Sequence, residues 1–316
     1  LGLIVPVAVK PLFAAGEFAS IAMILFAHRM FLLHHEARFA DVIELELYNG
    51  MLSGLSLSGD AFFYENPLEI HLDNYKKVGG RYPITRRQRV FGCSCCPCNI
   101  NRVLASVGQY FYAEEGGAVW ISQFGTSVFA HNGCEVSQKT DYPASGKLEI
   151  AANCPVYVRI PGWCHSFTAS APYEMESGYA KFAPGEIVVQ LEMEPEYVVS
   201  HVGVYKNAGK VSLRRGPVVY CVEALDNGGD VHTLFANGST PAFSLTDSLP
   251  GTGIPSILAS GFRRHNATPA MDSGLQLYAP LTIPEKFTPV ELRFIPYHAF
   301  ANRAETNMLV WLPYLL

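Results

Sequence analysis

A short segment dense in cysteine constrains this chain more than any other feature. Residues 93–98 read Cys-Ser-Cys-Cys-Pro-Cys, so half of the chain's eight cysteines lie within this segment. Thiolates are soft ligands for zinc or iron, and a thiolate is also the strongest nucleophile that proteins carry at neutral pH. Isolated cysteines often serve as small apolar core residues. Four so close together instead favour a metal site or a nucleophilic centre.

The residues after this segment have the spacing of a helix. Apolar side chains recur at positions 100, 103, 104, 107 and 111, and Pro97 precedes them. Proline is favoured in the first turn of a helix, so the pattern predicts a helix from this point. Cys95 and Cys96 then lie at its N-terminal edge, where unpaired backbone N–H groups and the helix dipole favour negative charge. We expect both thiols to ionise more easily there.

The overall composition limits the number of domains and the kinds of partner. The 316 residues are 49% hydrophobic and 16% charged, which predicts a sizeable core and two or three domains. The net charge of −5 and the lack of a basic block argue against nucleic acid as a partner. The apolar stretch 19–33 is interrupted by His28 and Arg29, and it is too short to span a bilayer, so we expect no membrane span.

The remaining cysteines are isolated along the chain, at Cys134, Cys154, Cys164 and Cys221. Adjacent cysteines such as those in the dense segment are hard to bridge to each other and serve better as reduced ligands, so the pattern is not a disulfide framework. We therefore expect a reducing compartment and a cytoplasmic protein.

Two helices are predicted before residue 53. The first covers 19–33 and is expected to bury Ile21, Ile24, Leu25 and Leu32, with His28 on the same face as a core histidine. The second covers 39–52, with core positions at Phe39, Val42, Ile43 and Leu47 and the acidic Glu44 and Glu46 between them.

The pattern changes to short strands beyond about residue 114. Runs rich in β-branched and aromatic residues are divided by Gly, Pro, Asn and Asp, at 118–122, 147–150, 156–163, 186–191, 216–221 and 308–312. Many short strands without intervening helices predict β-sandwiches rather than a parallel sheet. The Gly-, Ser-, Thr- and Pro-rich stretch 226–260 is expected to be a long surface loop.

Common catalytic motifs are absent from the sequence. It contains no phosphate loop, dinucleotide fingerprint, nucleophile elbow or paired-histidine zinc motif, which excludes several enzyme classes. The ten histidines include isolated residues such as His71, His201 and His298. We expect each of these to be structural rather than chemical.

Several longer motifs together resemble a known family of enzymes. They are Glu-Leu-Glu-Leu-Tyr-Asn at 44–49, Phe-Phe-Tyr-Glu-Asn-Pro-Leu-Glu at 62–69, Cys-Ser-Cys-Cys-Pro at 93–97 with Asn99 and Arg102, Arg-Ile-Pro-Gly-Trp at 159–163, Arg-Gly-Pro-Val-Val-Tyr-Cys at 215–221, Ile-Pro-Tyr at 295–297, Asn302-Arg303, and 308–312. In order and spacing they resemble the β-L-arabinofuranosidases of glycoside hydrolase family 127, over nearly the whole chain from about Ala19.

This resemblance implies a retaining glycosidase that uses an unusual nucleophile. A zinc-bound thiolate, at Cys95 in this sequence, attacks the anomeric carbon in place of the usual carboxylate. Cys96 matches a second zinc ligand, while Cys93, Glu44 and Tyr64 match positions that line the sugar pocket. The implied substrate is an arabinofuranoside or a related plant-derived oligosaccharide.

The resemblance also completes the predicted domain organisation of a multidomain α + β protein. Residues 1–112 correspond to the C-terminal part of a helical (α/α)6-barrel catalytic domain. A β-sandwich at 113–215 and a second β-sandwich at 216–316 follow it.

Three departures from the family pattern affect the implied site. A Glu-x-Cys pair that completes the family's zinc site falls on Gly16 and Phe18, which cannot bind zinc, and Glu17 is one residue out of register. The family's general acid/base glutamate would precede Leu1, and Cys98 replaces a second proline. We therefore expect the chain to represent the C-terminal half of a larger enzyme and, as written, to hydrolyse nothing.

Two other functions remain open for the cysteine segment. One is a structural zinc site in a non-catalytic sugar-binding or assembly module whose β domains recognise the ligand. The other is a redox or iron–sulfur role, which is disfavoured because the spacing matches neither common ferredoxin pattern. The sequence leaves the sugar and the oligomeric state open, with a homodimer as one option.

Overall fold

The computed structural model of the protein describes residues 17–73, 85–93, 95–280 and 282–316. Within these residues the helical part contains α1 (Glu17–His34), α2 (Ala37–Leu45) and α3 (Cys95–Ala105). A π-helical turn at Glu46–Met51 and a 3-10 turn at Leu52–Gly54 extend α2, and a 3-10 turn at Val107–Tyr110 follows α3. The described helices do not show the (α/α)6 barrel that the resemblance implies. Among them, none combines the length and apolar character that a membrane span needs.

Helix α1 buries a narrower face than its sequence predicts. Ile21 and Ile24 are buried as expected, and the same stripe continues through Ala27 and Phe31. The prediction for Leu25 and Leu32 was wrong, because they are 37% and 41% exposed. Each residue turns the helix by about 100°, so both leucines point away from the stripe. The helix is apolar on several sides, and apolar residues alone therefore do not identify its buried face.

The first β unit is a sandwich, as the sequence predicts. It contains strands β2–β11, which are, in chain order, Tyr112–Glu115, Ala118–Ile121, Ser127–His131, Cys134–Lys139, Lys147–Ala152, Val156–Arg159, Phe167–Ala169, Glu174–Glu176, Tyr179–Phe182 and Gly185–Leu191. Strand β1 (Glu69–Ile70) precedes them in the chain and belongs to the barrel sheet. One sheet has the order β2-β3-β7-β10-β9 and the other the order β4-β5-β6-β11-β8. In β11 the buried side chains of Ile187, Val189 and Leu191 alternate with exposed ones, and they belong to the core that the two sheets share.

The second β unit is a closed barrel instead of the second sandwich that was predicted. Strands β12–β20 are Pro195–Val198, Lys210–Arg215, Val218–Glu223, Leu234–Asn237, Phe243–Thr246, Ser256–His265, Lys286–Pro296, Met308–Leu309 and Leu312–Leu315. Six of them form a ring in the order β13-β14-β18-β17-β15-β20, which closes because β13 pairs with both β14 and β20. Closure removes the free edges that a sheet of this size would otherwise expose.

The prediction of a long surface loop at 226–260 was wrong, because this stretch contributes strands to the barrel sheet. Strands β15 and β16 and the first part of β17 lie within it, and β15 buries Leu234 and Ala236 in the barrel. Two short helices, α4 (Ala224–Asn227) and α5 (Pro269–Asp272), flank this part of the chain. The residues rich in Gly, Ser, Thr and Pro occupy the turns between these strands.

A buried ion cluster joins α2 to the sandwich. The fully buried guanidinium of Arg159 in β7 donates to Asp41 Oδ1 at 2.6 Å and to Glu44 Oε1 at 2.5 Å. Glu44 is also fully buried and accepts hydrogen bonds from Trp163 Nε1 at 3.0 Å and from the hydroxyl of Tyr142. Charges at this depth are tolerated only when they are paired and hydrogen-bonded. The cluster therefore fixes how the helical part lies on the sandwich.

Hydrogen bonds and a strand pairing join the helical part to the barrel. Asn49 donates to the carbonyl of Pro217 and accepts from the amide of Val219, each at 2.8 Å. Strand β1 pairs with β19, so a segment that precedes the cysteine cluster adds an edge to the barrel sheet. The helical part is thereby held by hydrogen bonds to both β units.

Loss of the Arg159 guanidinium should destabilise the protein strongly. In Arg159→Met the carboxylate of Glu44 stays buried without its counter-charge, and we expect unfolding to become easier by about 3–5 kcal/mol. Urea unfolding measures this change. Arg264→Met is a matched control, because Arg264 and Glu285 form a half-exposed pair at 3.3 Å and such pairs contribute at most about 1 kcal/mol. Equal losses in both variants would contradict a dominant role for the buried cluster.

A buried histidine in the barrel predicts acid sensitivity. Burial lowers the pKa of His298 to about 4, and the charge of Arg87 acts in the same direction. The unfolded chain, with an ordinary pKa of about 6.5, therefore binds the proton first as the pH falls. The contribution of the neutral ring is fully present above about pH 6.5 and is lost as the pH falls towards 4.

Replacement of this histidine should weaken the dependence of stability on pH. In His298→Gln, the decrease in unfolding free energy between pH 8 and pH 5 should be smaller than in the wild type by about 2 kcal/mol, measured by urea unfolding at each pH. His201→Gln, at an exposed histidine, should retain the wild-type dependence. A wild-type pH dependence in His298→Gln would show that this ring is not responsible.

Candidate active site

Three cysteines and a tyrosine come together at the start of α3. The helix begins at Cys95, so Cys95 and Cys96 lie in its first turn, as the spacing predicts. The sulfur of Cys95 lies 3.4 Å from that of Cys93 and 3.8 Å from that of Cys96. All eight cysteines, which lie within the described residues, are thiols rather than disulfides.

Tyr64 reaches this group from a segment far away in sequence. Its hydroxyl oxygen lies 3.8 Å from the sulfur of Cys95 and 4.0 Å from that of Cys93. The ring of Phe91 packs edge-on against the ring of Tyr64, with centroids 6.0 Å apart. The thiols of Cys95 and Cys93 raise the pKa of Tyr64, so its hydroxyl stays protonated and can donate a hydrogen bond.

The first turn of α3 holds each cysteine differently. Asn99 donates from Nδ2 to the carbonyl oxygen of Cys95 at 2.8 Å, which secures the turn. Cys96 is buried, whereas Cys95 and Cys93 are partly accessible. Cys98 is exposed. Cys95 is therefore the thiol that combines access with contacts to Cys93, Cys96 and Tyr64.

The spacing of two sulfurs suits a shared zinc ion. Two thiolates that bind one tetrahedral zinc at Zn–S distances of about 2.3 Å have sulfurs about 3.8 Å apart. Cys95 and Cys96 have this separation. The positions at which the family has its two further ligands correspond to Gly16 and the side chain of Phe18, which lie outside the described residues.

Glu44 lies apart from this group, in the buried cluster between α2 and the sandwich. Both of its carboxylate oxygens already accept hydrogen bonds, Oε1 from Arg159 and Tyr142 and Oε2 from Arg159 and Trp163. With no exposed surface, the carboxylate has no access to a sugar in this arrangement. The described geometry gives Glu44 these buried partners, and the pocket position that the resemblance implies for it stays a prediction.

The partner of Glu44 was not identified from the sequence, although a signal exists. Arg159 ends a strand of otherwise apolar or aromatic residues, Val156 to Val158, and every residue of that strand is buried. A charged residue in such a strand needs an opposite charge. The acidic residues between the apolar positions of α2 could have been proposed as the ion-pair partners of Arg159.

Both ends of the chain match domains of one family. Residues 16–109 match the profile of the catalytic domain of the β-L-arabinofuranosidases of glycoside hydrolase family 127. Residues 195–313 match the family 127 C-terminal domain. The cysteine cluster lies in the first of these regions and the closed barrel in the second.

A curated relative is similar over most of the chain. The non-reducing end β-L-arabinofuranosidase of Bifidobacterium longum subsp. longum is 34% identical over 321 aligned residues, which cover 93% of this chain and 48% of that enzyme. The chain thus spans about half the length of this relative.

Solved structures of similar proteins have the same fold. A family 127 β-L-arabinofuranosidase from Geobacillus stearothermophilus T6 superposes with a TM-score of 0.85 at 32% identity, covering 96% of this chain and 50% of that one. A family 127 β-arabinofuranosidase gives 0.77 at 29% identity, with coverage of 96% and 50%. A further glycoside hydrolase gives 0.82 at 26% identity, with coverage of 97% and 53%. Two domain matches of one family, in the right order and with this likeness of sequence and structure, show that the chain belongs to glycoside hydrolase family 127.

Proposed function

We propose that the protein containing this chain is a retaining glycosidase that cleaves β-L-arabinofuranosides, with Cys95 as its nucleophile. The family membership and the activity named for the Bifidobacterium relative support the reaction class and the sugar. The assignment of Cys95 as the nucleophile rests on its position. The partly accessible sulfur of Cys95 lies at the N-terminus of α3, within 3.8 Å of both the Cys96 sulfur and the Tyr64 hydroxyl.

The N-terminus of α3 and two side chains lie close to the sulfur of Cys95. In the first turn of a helix the backbone N–H groups lack partners within the helix, and the dipole stabilises negative charge. The thiol of Cys93 donates a weak hydrogen bond to the Cys95 sulfur at 3.4 Å. The Cys95 thiol in turn donates to the hydroxyl oxygen of Tyr64 at 3.8 Å, and that hydroxyl donates to the Cys93 sulfur at 4.0 Å.

Cys95 and Cys96 would hold the zinc that the family resemblance implies, since their sulfur separation suits two ligands of one ion. Zinc bound there keeps the thiol ionised at neutral pH. Because Cys96 is buried and Cys95 is partly accessible, only Cys95 is placed to meet a substrate. The two adjacent thiols would therefore have different roles, one as a ligand alone and one as ligand and nucleophile.

The reaction requires two displacements at the anomeric carbon. In the first, the Cys95 sulfur forms a bond to this carbon, the bond to the leaving oxygen breaks, and that oxygen takes a proton from a general acid, which the resemblance implies to be a glutamate. In the second, water attacks the same carbon, gives its proton to the resulting carboxylate, and the thiolate leaves. Two inversions give overall retention of configuration.

The substrate contacts are proposed from the same geometry. Cys93 and Tyr64 both contact the partly accessible Cys95, so we propose that they also contact the bound sugar. Glu44 is proposed to position α2 through Arg159. A direct contact between Glu44 and the sugar would require the carboxylate to leave its buried partners, which is unfavourable.

Replacement of the nucleophile should abolish turnover in the full-length protein. Cys95→Ser retains the shape of the side chain, but a hydroxyl is not ionised at neutral pH, so we expect kcat to fall by at least about a thousand-fold. Hydrolysis of a p-nitrophenyl β-L-arabinofuranoside measures this. Cys98→Ser, at the exposed cysteine outside the group, is the control and should keep activity. Wild-type turnover in Cys95→Ser would refute the assignment.

Covalent labelling separates this proposal from a non-catalytic sugar-binding or assembly module. An electrophilic arabinofuranoside mimic should add one sugar mass to the wild type, at the peptide that contains Cys95, and none to Cys95→Ser. Intact-mass and peptide mass spectrometry detect this product. If the wild type binds arabinofuranosides and zinc but is neither labelled nor able to hydrolyse the substrate, the module is the correct description.

A further inference from the structure

A group of metal-ligating side chains lies outside the cysteine cluster, where β1 joins the edge of the barrel sheet. Glu69 begins β1, His71 follows that strand, and His232 lies in a 3-10 turn at Val231–Thr233. One ligand atom from each of the three residues lies within 4.8 Å of the others. Nε2 of His71 is 2.7 Å from Glu69 Oε1, and Nε2 of His232 is 3.5 Å from the same oxygen.

A hydrogen bond sets the orientation and tautomer of His232. Nδ1 of His232 lies 2.7 Å from Oδ1 of Asp230. A carboxylate oxygen accepts, so Nδ1 carries the proton and donates it. In the neutral ring Nε2 then keeps its lone pair and points towards Glu69. This arrangement of carboxylate, histidine and open nitrogen is the one that orients histidine ligands in metal sites.

The nitrogen of His232 that faces Glu69 lacks a compensating contact. Its Nε2 atom is buried and has no hydrogen-bond partner among the described residues. A lone pair and a carboxylate that face each other repel unless a cation lies between them. A metal ion satisfies both acceptors without a change in the tautomer.

We infer that Glu69, His71 and His232 form a binding site for a divalent transition-metal ion, with Zn²⁺ as the best-suited ion and Asp230 as the residue that orients His232. Two imidazoles and one carboxylate are a known ligand set for zinc, with a fourth position left for water. The two rings are stacked, with centroids 3.1 Å apart and planes inclined by 14°. For both Nε2 atoms to bind one ion, the rings must tilt apart, and His71 must give up the Nε2 proton that it donates to Glu69 Oε1 at 2.7 Å.

This site would connect the two family domains. Glu69 and His71 belong to the region that matches the catalytic domain, and His232 belongs to the C-terminal domain. Bound metal would therefore reinforce the pairing of β1 with β19. None of the three ligands belongs to the cysteine cluster, so the inference does not depend on the proposed activity.

Metal content of the full-length protein provides the first test. After dialysis against a weak chelator and then against Zn²⁺, the wild type should hold one more equivalent of zinc than either His71→Gln or His232→Gln, by elemental analysis. Asp230→Asn should weaken binding of this equivalent by about 10- to 100-fold. His131→Gln is the matched control, because His131 pairs with Glu114 at 3.3 Å without a second histidine. Its zinc content should equal that of the wild type.

Cobalt distinguishes this site from the cysteine cluster. Co²⁺ bound by thiolates gives a charge-transfer absorption that a histidine and carboxylate site lacks. His232→Gln should lose one equivalent of Co²⁺ and leave any thiolate band unchanged, while its circular dichroism without metal matches the wild type. Equal metal content in the wild type and in both histidine variants would overturn the inference. The inference would also be overturned if the Co²⁺ lost in His232→Gln were the ion that gives the thiolate band.

Discussion

The guanidinium of Arg159 determines how the parts of this protein fit together. It lies in β7, the central strand of the first sheet, while its carboxylate partners, Asp41 and Glu44, come from α2. A purely apolar interface tolerates small shifts, because dispersion contacts have little directional preference. A planar guanidinium that donates to two carboxylates accepts only one arrangement. The cluster therefore fixes the orientation of α2, and with it the helical part that carries the cysteines.

The sequence predicts the strands better than their arrangement. Turn residues and β-branched runs identify strands such as Ala118–Ile121 and Gly185–Leu191, since these signals are local. Closure of the barrel depends on the parallel pairing of Leu234–Asn237 with Leu312–Leu315, and no local pattern encodes a contact between such distant segments. The same limit applies to α1, where the structure exposes Leu25, because burial depends on which neighbours cover each side.

Some features of the candidate site likewise follow from local sequence, and others do not. The position of Cys95 at a helix start follows from proline and the apolar spacing, so elementary rules suffice. The approach of Tyr64 to Cys95 joins residues 31 positions apart, and only the family resemblance suggested it. The burial of Glu44 could not be predicted from local sequence, because its environment depends on what packs on α2. A carboxylate between apolar helix positions is solvated only if that side of the helix faces water, and here Arg159 and Trp163 cover it.

The stretch that carries Tyr64 shows why a β domain matters to a site built on a helix. Phe63 is buried and stacked on Phe300 of the barrel, with ring centroids 5.0 Å apart and planes 3° from parallel. Glu69, a few residues later, begins the strand that pairs with β19. Because the barrel holds this stretch on both sides of Tyr64, the distance from its hydroxyl to Cys95 depends on where the barrel lies relative to α3. A change that shifts the barrel would move Tyr64 from the thiol even if α3 were unaltered, so the geometry of the cysteine group is a property of both domains together.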